Sequence, residues 1–225
     1  MRVISWNMNK RKNDNWNWLI DNFDPGFVLA QESSKLPEGF EAAEKTTSNK
    51  NNRSAFFAKS RDFDVIKTSS DHGMGVLVTK SEDIFFICVY ANLSFKPVVN
   101  LPLLGIVIKY ISSLRRGHNA KNILIAGDFN MDRRMDENPT GTRFASKGTY
   151  PTGEFFDAIL DQGFYDCMRK FDKNPVQTHQ NNKSDYPWEL DHMFVTKELY
   201  DRLQKIVVHS HPELSDHYPI VADFL

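Results

Sequence analysis

Apolar positions fall along this chain in two rhythms. Short apolar runs bounded by polar residues predict strands over Arg2 to Trp6, Gly26 to Ala30, Ala55 to Ala58, Gly75 to Thr79, Ile84 to Tyr90 and Asn122 to Ala126. Three more follow at Leu190 to Thr196, Lys205 to His209 and Tyr218 to Phe224. Lys80-Ser-Glu-Asp83 reads as the turn between two of them. Helical spacing appears at Trp16, Leu19, Ile20 and Phe23, which predicts a helix over Asn15 to Phe23. Leu101, Leu104, Ile108 and Ile111 share a second helical face, with Gly117 as its stop. Gly153 to Leu160 predicts a third helix, ending near Gly163. Trp16 and Trp18 are two apart and cannot share a helical face, so one belongs to the core and the other lies outside it.

Strands and helices interleave, yet several neighbouring strands are joined by short turns. That combination predicts mixed sheets rather than a purely parallel one. The expected architecture is an α/β sandwich, two sheets face to face with helices outside. The polar stretches Thr46 to Arg53 and Asp132 to Thr152 read as exposed loops. No repeat, low-complexity tract or linker-like shift divides the chain, so residues 1–225 are expected to form one domain.

Composition narrows the function classes only a little. Apolar residues are 40% and charged residues 25%, the averages of a soluble globular chain, and 17 phenylalanines point to an aromatic core. A formal net charge of -1 argues against a passive, charge-driven nucleic-acid binder, though not against a local basic patch. Cys88 lies in an apolar run, and two cysteines do not make a disulfide framework, so a reducing compartment, the cytoplasm, is expected. The start, MRVISWNMNK, turns polar too soon for a signal peptide. The longest apolar stretch, Pro97 to Ile111, is too short and too interrupted for a membrane helix.

The chemistry collects at strand ends. Asn7, Glu32, Asp128 and Asn130 follow predicted strands, while Asp191, Asp216 and His217 precede them. An isolated acid in such a place is ordinarily a turn residue or a helix cap. Seven such positions exceed what turns require, and the residue types suit phosphoester hydrolysis. Glu32 and Asp216 offer the hard oxygens a divalent cation prefers, and Asp128 could accept a proton from an attacking water. Asn7 and Asn130 could orient groups without repelling a phosphate. A protonated His217, held cationic by a carboxylate such as Asp191, could stabilise a charged transition state. An Asp-His pair also suits acyl transfer, but no serine sits in a G-x-S-x-G elbow.

Taken in order, Ser5-Trp-Asn7, Leu29-Ala-Gln-Glu32, Gly127-Asp-Phe-Asn130, Leu190-Asp191 and Ser215-Asp-His217 resemble the signature blocks of the endonuclease/exonuclease/phosphatase superfamily, exonuclease III-like and DNase I-like. The blocks span nearly the whole chain. The resemblance implies a four-layer α/β sandwich, two mixed β-sheets with helices outside, and a Mg²⁺-dependent hydrolase, with Mn²⁺ as an alternative ion. It implies Glu32 as principal metal ligand, Asp216 as a further metal-site carboxylate and Asn7 as the first-block asparagine of the metal site. It implies Asp128 as water activator, Asn130 as orienter and Asp191 as partner of His217. Abasic-site endonucleases often carry an acid just after the first-block asparagine, whereas this chain has Met8 and Asn9. Tyr90 matches a phosphate-binding tyrosine of the nuclease members, with Asn92 an equal candidate for that place.

Arg133 and Arg134 follow the Gly127 block and are candidates for a phosphate backbone, as is Lys10-Arg-Lys12. His192 should point to the face opposite Asp191 and act structurally. His179 reads as a solvated loop histidine, and His72, His118, His209 and His211 as surface residues. The reading is a Mg²⁺-dependent phosphodiesterase, a nuclease acting on DNA, with no membrane partner. The alternative is hydrolysis of a small nucleotide, phosphoinositide or phospholipid head group. A third reading, a binding module without activity, is separated from both by turnover in Mg²⁺.

Overall fold

A computed structural model describes residues 1–9, 14–33, 42–44, 54–58, 62–71, 74–91, 100–137, 152–181, 184–210 and 213–225. Its strands are β1 (Arg2–Asn7), β2 (Phe27–Gln31), β3 (Ala42–Glu44), β4 (Ser54–Ala58), β5 (Asp64–Asp71), β6 (Met74–Ser81), β7 (Ile84–Tyr90), β8 (Asn122–Asp128), β9 (Phe164–Asp166), β10 (His179–Asn181), β11 (Ser184–Trp188), β12 (Asp191–Thr196), β13 (Leu203–Val208) and β14 (Ile220–Phe224). Its helices are α1 (Asp14–Phe23), α2 (Asn100–His118), α3 (Thr152–Asp161) and α4 (Lys197–Arg202).

The strands form two six-stranded sheets, in the orders β13-β14-β1-β2-β4-β3 and β5-β6-β7-β8-β12-β9, and β10-β11 form a small hairpin. Both large sheets are mixed. β1 pairs β2 in parallel across α1, and β7 pairs β8 in parallel across α2, while the remaining pairs are antiparallel.

Side-chain alternation along each strand separates the core into layers. Val3, Phe27, Leu29 and Phe56 of the first sheet meet Leu77, Phe86, Cys88, Leu124, Ala126 and Met193 of the second between the sheets. The intervening residues face outward. Ile4, Trp6, Val28 and Phe57 pack on Trp16 and Leu19 of α1. Phe85, Ile87, Val89, Ile123, Ile125 and Phe194 pack on Leu103, Val107 and Ile111 of α2 and on Phe155, Phe156 and Ile159 of α3. This is the four-layer α/β sandwich expected from the sequence. Trp16 is the buried member of its pair, and Trp18 lies against Trp6 and Phe23.

Several short elements carry little sequence signal. β5 is an edge strand with mostly polar residues and an exposed Val65, so apolar alternation does not mark it. β9 and β10 are three residues each, and α4 buries only Leu199. The last strand begins at Ile220 rather than Tyr218, because Tyr218 N–H is spent on Thr178 O and Pro219 has none to give. The start of the expected Asp132 to Thr152 loop is a 3₁₀ turn over Arg133–Glu137. Residues 138–151 and the expected 46–53 loop lie outside the described residues. No helix among the described residues is long and apolar enough to cross a membrane.

Candidate active site

The last inward-facing position of four strands carries a polar group. On β1 the inward series is Val3, Ser5, Asn7; on β7 it ends Phe86, Cys88, Tyr90; on β8 it ends Leu124, Ala126, Asp128; on β12 it begins Asp191, Met193, Val195. Strand pairing sets these ends side by side, with Tyr90 opposite Asp128 on one flank and Asp191 opposite Asp128 on the other. Gly127 makes the approach possible. Its φ is 151°, and a Cβ there would lie 1.9 Å from Val89 O.

Asp128 is fully buried, with hydrogen bonds on both oxygens. It accepts from Asn7 Nδ2 at 2.8 Å, Asn130 Nδ2 at 2.8 Å and Asn130 N–H at 2.8 Å. His217 Nε2 stands 3.9 Å from Asp128, and its Nδ1 lies 2.8 Å from Asp191 Oδ2. The histidine thus bridges two buried carboxylates. Burial disfavours its charged form, but Asp191 and Asp128 outweigh that and push its pKa up to about 10. Burial raises Asp128 against the opposing pull of His217, with the Asp191 charge adding to the rise.

Backbone and side-chain clamps hold this arrangement. Trp6 Nε1 donates to His217 O at 2.9 Å, His217 N–H donates to Ser215 Oγ at 3.1 Å, and Ser215 Oγ donates to Asn7 O at 2.8 Å. Thr178 Oγ1 accepts from Leu190 N–H and Asp191 N–H at 2.9 and 3.0 Å. Thr178 is buried, and nothing in the local sequence around it signals this task.

Glu32 leaves β2 with φ of 46°, Asn9 leaves β1 at 49° and Asn130 leaves β8 at 50°. Left-handed backbone is uncommon for non-glycine residues, and a cluster of such residues marks a site where strain is held by its surroundings. Tyr90 Oη donates to Glu32 Oε1 at 2.7 Å. Burial, and next the Glu32 charge, raise the Tyr90 phenol and keep it a donor. Tyr90 thereby joins the cluster, while Asn92 lies outside the described residues, as do Lys10, Arg11 and Lys12.

Asn9 lies in the stretch after Asn7 where the sequence departs from the abasic-site endonucleases. Its N–H donates to Asn7 Oδ1 at 2.9 Å and its Nδ2 to Asp216 Oδ1 at 2.7 Å. Burial acts to raise Asp216, but His179 and His217 outweigh it and hold the carboxyl below its ordinary value. Glu32, Asp216 and the amide side chain of Asn7 all offer oxygens, the donor type that a hard cation such as Mg²⁺ prefers. The fit is one of donor chemistry, with Met8 N–H to Gln31 O tying the β1 and β2 ends together.

The expectation of a solvated His179 is overturned. His179 is buried, opens β10, bridges His217 by backbone and sets its ring at a tilt against the His217 ring, centroids 4.6 Å apart. A three-residue strand inside a polar segment leaves no periodicity to read, so only the hairpin with β11 places it. His192 behaves as expected: it faces α3, its Nε2 lies 2.8 Å from Met131 O, and its ring packs on Phe156. His118 and His209 are not buried, and His72 and His211 lie outside the described residues.

Arg133 and Arg134 lie outside the hydrogen-bonded cluster. They line a cavity of about 520 Å³ together with His192 and Phe156, on the helix-facing side of β12. Arg134 is bound to Asp132 and to Pro187 O. Arg133 pairs with Asp157 on the surface, its side chain 47% exposed.

No family model matches the sequence, and no curated protein does. Solved structures do match. An AP endonuclease from Archaeoglobus fulgidus is 21% identical with a TM-score of 0.74, covering 100% of this chain and 99% of that one. The AP endonuclease LMAP from Leishmania major is 16% identical with a TM-score of 0.75, covering 98% and 86%. A 3'-5' exonuclease, NExo, from Neisseria meningitidis is 18% identical with a TM-score of 0.72, covering 100% and 99%. With two mixed sheets face to face and helices outside, this chain has the DNase I-like fold of these solved structures.

Proposed function

We propose that the protein is a Mg²⁺-dependent phosphodiesterase, a nuclease acting on DNA. The observation that carries this reading is the Asp191–His217–Asp128 chain beside an oxygen-only donor set. Asp128 accepts the proton of the attacking water; burial makes its carboxylate the stronger base. Asn7 and Asn130 hold both of its oxygens in place, so the lone pair meets the water without rearrangement. His217, kept cationic by Asp191, faces the charge that develops on the phosphoryl oxygens. Tyr90 orients Glu32. Glu32, Asp216 and Asn7 would hold Mg²⁺, which when bound supplies neutralisation of phosphoryl charge.

The DNA substrate is supported by what similar structures are described as doing: AP endonucleases, an exonuclease, and a Neisseria 3' phosphatase bound to a product DNA hairpin. Arg133 is the better of the two arginines for a substrate phosphate, since its surface pair with Asp157 exchanges easily with solvent and ligand. A cytoplasmic setting suits two buried, unbridged cysteines, Cys88 and Cys167.

End-labelled single-stranded, duplex and abasic-site DNA in Mg²⁺ or chelator provide the test. Cleavage should require Mg²⁺ and fall by about 10²- to 10⁴-fold in Asp128→Asn, the scale of losing a general base. Hydrolysis of small phosphoesters with no cleavage of any DNA would overturn the nuclease assignment. Turnover unchanged by Asp128→Asn would overturn the mechanism.

A further inference from the structure

His179, Asp216 and His217 each present one ligand atom, and the three atoms lie within 4.8 Å of one another. His179 Nε2 stands 3.7 Å from Asp216 Oδ2, an ion-pair distance. It is close to the spacing of donors around one tetrahedral metal: bonds of about 2.0–2.1 Å set neighbouring donor atoms about 3.3 Å apart. His217 Nδ1 is taken by Asp191, so Nε2 is the nitrogen left for a metal.

Two of the three groups already carry the outer partners that metal ligands use. Asp191 on the far nitrogen of His217 makes a carboxylate–histidine arrangement, which fixes ring orientation and raises ligand basicity. Asn9 Nδ2 holds the second oxygen of Asp216 at 2.7 Å. The strand ladder does the rest: Gln180 N–H donates to Asp216 O, Tyr218 N–H donates to Thr178 O, and His179 bridges His217. The backbones of His179 and His217 therefore cannot separate without opening β10. Asp216 is the exposed side of the group, with 36% of its side chain reaching solvent, so an ion has access.

We propose that His179, Asp216 and His217 form a transition-metal site, for Zn²⁺ or a like ion, whose occupation shuts the enzyme off. Two imidazoles and one carboxylate suit Zn²⁺, whereas Mg²⁺ favours an all-oxygen set. A metal on His217 Nε2 replaces the proton there and removes the hydrogen-bond donor that faces Asp128. It also takes Asp216 from the oxygen set. A water completes the fourth position. The inhibitory half of this proposal rests on the phosphodiesterase reading; the binding half does not.

Binding is tested first, with Co²⁺ as the probe in metal-free full-length protein. The visible d–d bands of a four-coordinate Co²⁺ site should appear in the wild type, bleach on adding Zn²⁺ and persist in excess Mg²⁺. They should be absent in His179→Ala and in Asp216→Asn, and present in Glu32→Gln. Thermal unfolding of each variant without metal shows whether it is folded, and Zn²⁺ should raise the midpoint of the wild type and of Glu32→Gln but not of His179→Ala or Asp216→Asn. Six-coordinate spectra in the wild type, or four-coordinate bands surviving in folded His179→Ala, would overturn the site. In the second arm, Zn²⁺ at stoichiometric excess should cut Mg²⁺-supported cleavage by at least tenfold, and His179→Gln should remove that sensitivity. Co²⁺ bands without any Zn²⁺ inhibition would overturn the inhibitory role and leave the site. Absence of cleavage in any metal would count against the phosphodiesterase reading and leave the spectral result standing.

Discussion

His217 has two buried carboxylates within reach, and its titration reports on both. Its folded pKa of about 10 stands above the ordinary 6.5, so its charge stabilises the fold fully below pH 6.5. That stabilisation is lost as pH rises toward 10. Asp128 is raised as well, so its ionisation also disfavours the folded state as pH rises, and the two effects have one sign. The unfolding midpoint of metal-free protein should fall between pH 6.5 and 10. In Asp191→Asn the His217 ring, followed by NMR, should titrate much nearer 6.5, since Asp191 is the largest influence raising it. A His217 ring in the wild type that titrates at 6.5 would remove the basis of its proposed role. Asn7, Glu32, Asp128, Asn130, Asp191, Asp216 and His217 were all legible as single residues, because each flanks an apolar run. Thr178 and Asn9 were not legible as site residues. Their roles are hydrogen bonds to Asp191 and to Asp216, partners 13 and 207 positions away.

At the scale of elements, the 3₁₀ turn after β8 separates two arginines that look alike in sequence. Arg134 holds the buried Asp132 and reaches Pro187 O on β11, so it ties the turn to the hairpin. Arg133 has a surface pair with Asp157 and lies over the Phe156 ring, 5.4 Å from its centroid. Arg134→Ala should destabilise by about 1–3 kcal/mol, because it strips a buried carboxylate of its guanidinium. Arg133→Ala should stay within about 0.5 kcal/mol in urea unfolding, yet weaken DNA binding and lower its salt dependence. The reverse pattern would show that Arg134, rather than Arg133, meets the phosphate. The long, strongly patterned elements α1, β7 and β8 were read within a residue or two of their bounds. The short ones were missed where sequence patterning is weakest: β5 at an edge, and β9, β10 and α4 too short to repeat a period.

Across the whole molecule, one aromatic layer joins the sheets. Phe86 of β7 lies 4.7 Å from Phe27 and 5.0 Å from Phe56 by ring centroids, both on the opposite sheet. Phe86→Ala should cost about 3–5 kcal/mol. Phe171→Ala, at a ring 58% exposed, should cost under about 0.5 kcal/mol. Equal losses in chemical denaturation would contradict a shared inter-sheet core.

Alternation of apolar and polar residues determined by itself that the chain makes strands with one face inward, and which polar residues end them. It also pointed to mixed sheets, since several neighbouring runs are joined by short turns while others are separated by helices. The motifs that resemble the superfamily's blocks placed the candidate site residues at those ends. Tertiary structure alone decided which ends meet. Parallel pairing of β7 with β8 and antiparallel pairing of β12 with β8 set Tyr90 and Asp191 on either side of Asp128. The β10 hairpin then turned a polar, aperiodic segment into the wall that holds His179 against His217. The reason is physical: burial periodicity is a local property of the chain, whereas register between strands is settled by packing over the whole sheet.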